Sequence, residues 1–270
     1  MAKQTIKVKP LDSIMSRRWI RRLIPILMVF IILGLWFWIT ERRIYPHFII
    51  PPPQAVWETG LRVLNDGTLA KHLFVTLEEM LLGLFFGVSS ALILGYLIAK
   101  SPLFETLLTP FILAFQSTPI VAYAPLLIIW FGTGPTSKVV TCAFIVFFPM
   151  LMNTVTGLRN IPVELQDLMY SLKATRWQRF SKLEVPAALP VLLTGLKTSV
   201  SLAVIGAVIG EFVGAQAGLG YLVSLARNQY DTALVVITVL SMTSLSLILY
   251  ALVSLMEYYL LAWRRRGRHS

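Results

Sequence analysis

Charge is scarce in this 270-residue chain. Asp, Glu, Lys and Arg make up only 14% of it, hydrophobic residues make up 56%, and the mean hydropathy is +0.73. Too few polar side chains remain to cover a water-facing surface, which excludes a soluble globular domain. Cysteine is nearly absent as well. The lone Cys142 excludes an intrachain disulfide, and its place inside an apolar run predicts a small buried hydrophobe. The histidines, His47, His72 and His269, are too dispersed for a metal site, and no cofactor is expected. Also missing is a Gly-x4-Gly-Lys-Ser/Thr run. The nearest approach, Gly132 to Lys138, is followed by Val139, so the chain lacks the loop that cradles ATP phosphates. No nucleophile stands beside a base, so an enzyme is not expected. The net charge of +11 is not interleaved with the aromatic and polar residues of a recognition module, which argues against a nucleic-acid partner.

What the chain does have is long apolar runs. A helix crossing about 30 Å of hydrocarbon needs about 20 apolar residues. Six stretches meet this: 23–40, 74–99, 107–131, 139–158, 191–213 and 233–262. They predict an all-α membrane protein with six transmembrane helices. The third contains Pro110, Pro119 and Pro125, which remove backbone donors and predict a kink or a break into two pieces. The first has basic residues before it like a signal peptide. The Thr40-Glu41-Arg42-Arg43 that follows offers no small-x-small cleavage pattern, so it reads as a retained anchor.

Six spans put both termini on one side. Lys and Arg concentrate in the amino terminus, after span two, in the loop after span four and in the tail, seventeen in all, against six on the other side. The positive-inside tendency makes the richer side cytoplasmic, with the Pro51 to Lys71 loop outside. The predicted organisation is a basic terminus 1–22, a peripheral anchor helix 23–40, an outer loop 41–73, a core 74–262 and a basic tail 263–270. Lys197, just inside span five, is placed to snorkel. Glu78 and Glu79, opening span two, are expected to be solvated at the outer interface.

Small residues repeating every fourth position mark helix faces that approach one another in lipid. Span five carries two such ridges, Gly195, Ser199, Ala203 and Ala207, and Gly206, Gly210 and Gly214. It should be enclosed on two sides. Span two carries Gly83 and Gly87, then Ser90, Ala91 and Gly95; span one has only Gly34 among bulky residues and reads as lipid-facing.

Residues 160–190 are polar enough to leave the membrane and are patterned as two short helices. Asn160 and Pro162 suit the start of the first, and Leu165, Leu168, Met169 and Leu172 recur on one face. Thr175 followed by Gln178 predicts a capping box opening the second, with Pro186 ending it and Pro190 opening span five. An amphipathic loop lying at the headgroups would have the same pattern.

These residues carry a resemblance. Glu164-Leu165-Gln166-Asp167-Leu168-Met169-Tyr170-Ser171-Leu172-Lys173-Ala174, followed by Val185-Pro186-Ala187-Ala188-Leu189-Pro190, is similar to the cytoplasmic signature of permease subunits of binding-protein-dependent ATP-binding-cassette (ABC) importers. Leu126 to Gly134 and Gly206 to Gly220 look like the branch handling sulfonates, taurine, nitrate or bicarbonate, thiamin-precursor pyrimidines or riboflavin. The likeness runs from about Pro51 to Leu261. Asp167-Leu168-Met169 replaces the family's Glu-Ala-Ala, and Lys173 stands where the family has Gly. Either Lys173 adopts a left-handed conformation, at about 1–2 kcal/mol, or the turn is built differently.

The resemblance implies the type I ABC importer transmembrane fold over 74–262, with 160–190 as the coupling loop. It further implies three protein partners: a separate ATPase docking on the loop, an extracytoplasmic solute-binding protein, and a second permease copy or sister permease. The alternative class is an ATP-independent channel or ion-coupled carrier, which would call for paired buried charges or an inverted repeat. Glu211, about 31 Å beyond Pro190 at about 1.5 Å per residue, is an intramembrane acid. It is either a gate or solute contact, or a structural hydrogen-bonding group beside the Gly214 to Gly220 break. Gln116 and Thr118, in the proline-broken span, are candidates to line a pathway.

Overall fold

The computed structural model describes residues 18–262; the basic stretches at 1–17 and 263–270 lie outside the described residues. In chain order the helices are α1 (Arg18–Glu41), α2 (Pro53–Asn65), α3 (Thr68–Lys100), α4 (Pro102–Ser117), α5 (Ala124–Phe131), α6 (Pro135–Arg159), α7 (Val163–Ser171), α8 (Arg176–Arg179), α9 (Val185–Phe212), α10 (Leu219–Asn228) and α11 (Thr232–Leu260). A 3-10 turn (Ile120–Ala122) precedes α5, and a π turn (Phe180–Glu184) joins α8 to α9. Among the described residues five helices are long and apolar enough to cross a membrane, and α4 with the Ile120–Phe131 piece, taken together as one bent span, would make a sixth.

The bend is 84° and follows from Pro119. A residue before proline is pushed out of the α region, and Thr118 is accordingly extended at φ −92° and ψ 130°. Pro110 lies inside α4 without ending it, while Pro125 occupies the first turn of α5, where no backbone donor is needed. The break predicted in span three is therefore present. The span itself begins at Pro102, earlier than hydropathy suggested.

The prolines of the next span behave differently. Helix continues from Arg176 to Phe212, so Pro186 does not end it and Pro190 does not open the span. Within the π turn the Val185 N–H reaches back five residues to the Phe180 carbonyl. The hydrogen-bond register thus shifts just where Pro186 has no N–H to give, and the chain passes without a break.

The core forms where α6 lies between α3 and α9. Both ridges of small residues meet there. A Cβ added to Gly83 would come 2.5 Å from the Cys142 Cβ, and one on Gly206 2.7 Å from the Cys142 Cα. Cys142 is fully buried between them, with Met80, Val146, Ala203 and Ala207 around it. Such close backbone approach gives apolar helices dense van der Waals contact without help from water. By contrast α1 exposes almost every large side chain. Trp36 Nε1 ties it to the loop beyond by donating to the Pro51 carbonyl at 3.0 Å. Among the described residues it packs little against the rest of the bundle.

The chain turns at Leu64-Asn65-Asp66-Gly67, with Gly67 at φ +76°. The Thr68 N–H donates to Asp66 Oδ1 at 2.8 Å, which holds this carboxyl below its usual range. Because α3 starts at Thr68, Glu79 falls three turns inside the helix and is buried, while Glu78 on the next face is exposed. The expectation that both acids are solvated holds for Glu78 alone. Lys138, counted with the loops, is also buried; its Nζ donates to the carbonyls of Thr133 and Gly134.

Candidate functional site

Between α6 and α9 the chain leaves the bundle at one end and makes a short amphipathic excursion. Asn160 caps the carboxyl end of α6 rather than the start of α7, whose cap position is Pro162, already at an extended ψ of 137°. The proline fixes φ for the entry, so the capping side chain expected of Asn160 is not needed. Ile161 is buried and pins the entry, and Gln166 Nε2 donates to its carbonyl at 3.1 Å.

No residue of α7 is buried. Leu165 is 41% exposed, Leu168 53% and Leu172 67%, with Met169 half-buried beside them. The helix ends in a Schellman arrangement. The Ala174 N–H bonds to the Met169 carbonyl at 3.0 Å and the Lys173 N–H to the Tyr170 carbonyl at 2.9 Å. This requires a left-handed residue, and Lys173 takes that conformation at φ +49°. Of the two alternatives left by the sequence, the lysine accepts the strain.

The Thr175–Gln178 capping box is formed in both directions, Gln178 N–H to Thr175 Oγ1 at 3.2 Å and Thr175 N–H to Gln178 Oε1 at 2.8 Å. Arg179 stacks over Tyr170, 5.3 Å from its ring centre, and so joins α8 to α7. Below them Glu184 accepts from Lys100 Nζ at 2.6 Å and Tyr96 Oη at 3.1 Å, a contact with α3 that sequence reading missed. A partner 84 or 88 residues away leaves no local pattern to find. Nearby, Arg159 of α6 pairs with Glu105 of α4 at 2.7 Å.

Glu211 lies at the opposite end of α9, fully buried. Its Oε1 accepts from Thr76 Oγ1 at 2.6 Å and its Oε2 from the Gly220 N–H. Thr76 in turn accepts from the Leu219 N–H at 2.7 Å, and His72 Nδ1 accepts from the Gly218 N–H at 3.0 Å. The N–H of Gly218 at the cap position of α10 and those of Leu219 and Gly220 in its first turn, which would otherwise be orphaned, are thus satisfied by side chains of α3 and α9. A negative group at a helix amino terminus is also favoured by the helix dipole. Gly218, at φ +111°, and Gly220 leave the room: a Cβ on either would run into the Glu211 carboxyl. Glu79 and Lys138 face the same junction.

Gln116 and Thr118 fall on the two sides of the end of α4. Gln116 is exposed, and Thr118 is half-buried with Oγ1 donating to the Ala114 carbonyl at 3.3 Å. The break is braced on α6 by rings, Phe115 and Tyr123 lying 5.8 and 5.9 Å from Phe144. Hydropathy alone did not single out this aromatic packing. The structure therefore groups the candidate residues into three separate places: the excursion, the break and the Glu211 junction.

Comparison with known proteins agrees with this architecture. A family model described as "Binding-protein-dependent transport system inner membrane component" matches residues 83–265. The chain is 40% identical over 219 residues to the riboflavin transport system permease protein RibX of Chloroflexus aurantiacus, covering 81% of this chain and 82% of that protein. It is 33% identical over 251 residues to the formylaminopyrimidine transport permease protein ThiX of Halalkalibacterium halodurans, covering 93% and 99%. With the taurine transport system permease protein TauC of Escherichia coli it shares 30% over 201 residues, 73% of each. Among solved structures, one chain of an amino acid ABC transporter with histidines matches 73% of this chain and 96% of its own, with a TM-score of 0.60. At 18% identity that likeness speaks for the fold alone.

Proposed function

The chain belongs to the family of binding-protein-dependent transport system inner membrane components, and on that premise we propose that a separate ATPase docks on its 160–190 segment and drives the spans. The chain is a multi-pass ABC importer permease for a small solute, and the channel or carrier alternative finds no support among its relatives. The observation that carries the docking proposal is the apolar row of α7, left uncovered at the end of the bundle on a rigidly capped helix. An exposed row of leucines beside charged residues is a surface made for a groove in another protein.

In this reading 160–190 and both termini face the cytoplasm, and 41–73 and the Glu211 junction face outward, where an extracytoplasmic binding protein delivers solute. A second permease, identical or sister, completes the pathway. Gln116 and Thr118 face that shared space, and Glu211 acts as the structural cap of α10. Riboflavin, formylaminopyrimidine and taurine, the cargoes named for the relatives, are the compounds to test on the binding protein, with riboflavin first because RibX has the highest of these identities.

Protection of a cysteine placed at Leu172 tests the docking. It should react with a membrane-impermeant maleimide in inside-out vesicles of the chain alone and be shielded when the ATPase is co-expressed. Equal labelling in both would overturn the docking face; labelling reached only from outside would overturn the orientation.

A further inference from the structure

We infer that Glu184 is a positioning residue for coupling, the point at which movement of the docked 160–190 segment is passed to α3. The inference rests on the docking proposal, and it concerns a residue outside the family-like motif residues named above.

The contacts of the excursion are uneven. Its first helix, α7, buries nothing in the bundle and is held by its entry at Ile161 and by the stack of Arg179 on Tyr170. Its exit is fastened differently. Glu184 closes the π turn and is buried, with an ammonium and a phenol of α3 on its two oxygens, Lys100 Nζ at 2.6 Å and Tyr96 Oη at 3.1 Å. Phe180, which opens the same turn, packs edge-on against the Tyr96 ring at 5.6 Å and against Trp177 of α8 at 5.6 Å. One π turn of five residues therefore carries both an ion pair and a ring contact to α3, and continues without a break into α9.

A push on α7 and α8 has two rigid ways into the bundle. One runs along α9 itself, and the other crosses through Glu184 to the end of α3. The two helices both pack on α6, and their far ends meet again at the Glu211 junction. If α9 moved alone, the Gly206 and Gly83 faces would slide unequally past Cys142, in a core with no free space for it. The Glu184 link makes α3 and α9 move as a pair. A π turn suits this place, because its wide ring supplies the bend between excursion and span, and such turns collect at functional sites. A charge-assisted bond with a partly buried carboxylate is a stronger tie than a neutral one.

The test uses the full chain co-purified with its ATPase in proteoliposomes, with Gln216, exposed in the loop just beyond the far end of α9, changed to cysteine as a reporter of maleimide labelling. In the otherwise native chain, trapping with MgATP and orthovanadate should change the labelling rate. Glu184→Gln and, separately, Lys100→Met should lose that change although the ATPase still co-purifies. The exchange Lys100→Glu with Glu184→Lys should restore it, a rescue that a merely destabilised protein would not show. The inference is overturned if either single variant responds to trapping like the native chain, or if the exchange, folded and ATPase-bound, does not recover the response. Failure of the underlying docking proposal would look different: the Leu172 cysteine would stay unprotected in the native complex.

Discussion

Lys173 and Gly218 both sit in left-handed backbone, and the contrast between them shows how much strain this protein tolerates and where. Lys173, at φ +49°, is solvent-exposed and occupies the region where a long side chain is admitted at about 1–2 kcal/mol. Lys173→Gly should keep or raise the melting temperature of the detergent-solubilised chain, while the β-branched Lys173→Val should lower it. Gly218 is more demanding. At φ 111° and ψ 165° it lies in a region essentially reserved for glycine, and a Cβ would also strike the Glu211 carboxyl. Gly218→Ala should cost about 1–3 kcal/mol from backbone strain alone and lower the yield of folded chain. Gly34→Ala, at a position with nothing within 4 Å, is its control and should be silent. Size-exclusion yield and thermal unfolding of the two variants decide it. The left-handed turn at Lys173 was one of two open readings from sequence; the burial of Glu79 and Lys138 was not legible at all. Their partners come from helices distant in the chain, and no periodicity encodes which charged residue faces a junction and which faces lipid.

Hydropathy and small-residue spacing were enough to locate the helices, because both report directly on what lipid and close packing require. Small residues at every fourth position marked where α9 and α3 approach α6, but both ridges of α9 turn to that one helix rather than enclosing α9 on two sides. Prolines were a less reliable guide. Pro119 breaks its span because the residue before it must be extended, whereas Pro186 follows a π turn that has already shifted the hydrogen-bond register. The same residue type gives an 84° bend in one place and a continuous helix in the other. Pro186→Ala should therefore change stability by no more than about 0.5 kcal/mol and leave the helix content measured by circular dichroism unaltered. A larger loss would mean that the proline is itself needed to hold the π turn.

For the whole molecule, three helices sharing one glycine-lined core form a body that can move as a unit, with an apolar helix projecting from one end and a carboxylate-capped junction at the other. Family membership implies that this body works with an ATPase, and the exposed row on α7 is where we propose that it docks. The most direct test is co-purification of the ATPase with Leu168→Asp. Burying an unpaired carboxylate in the docking groove costs several kcal/mol, and since each 1.4 kcal/mol is about tenfold in affinity, the loss should exceed about a hundredfold. The account predicts that the variant inserts normally, that the ATPase no longer co-purifies, and that solute-stimulated hydrolysis disappears, while Arg227→Gln at the opposite end keeps its partner. If Leu168→Asp retains its ATPase and transports like the native chain, α7 is not the docking helix, and the account is contradicted.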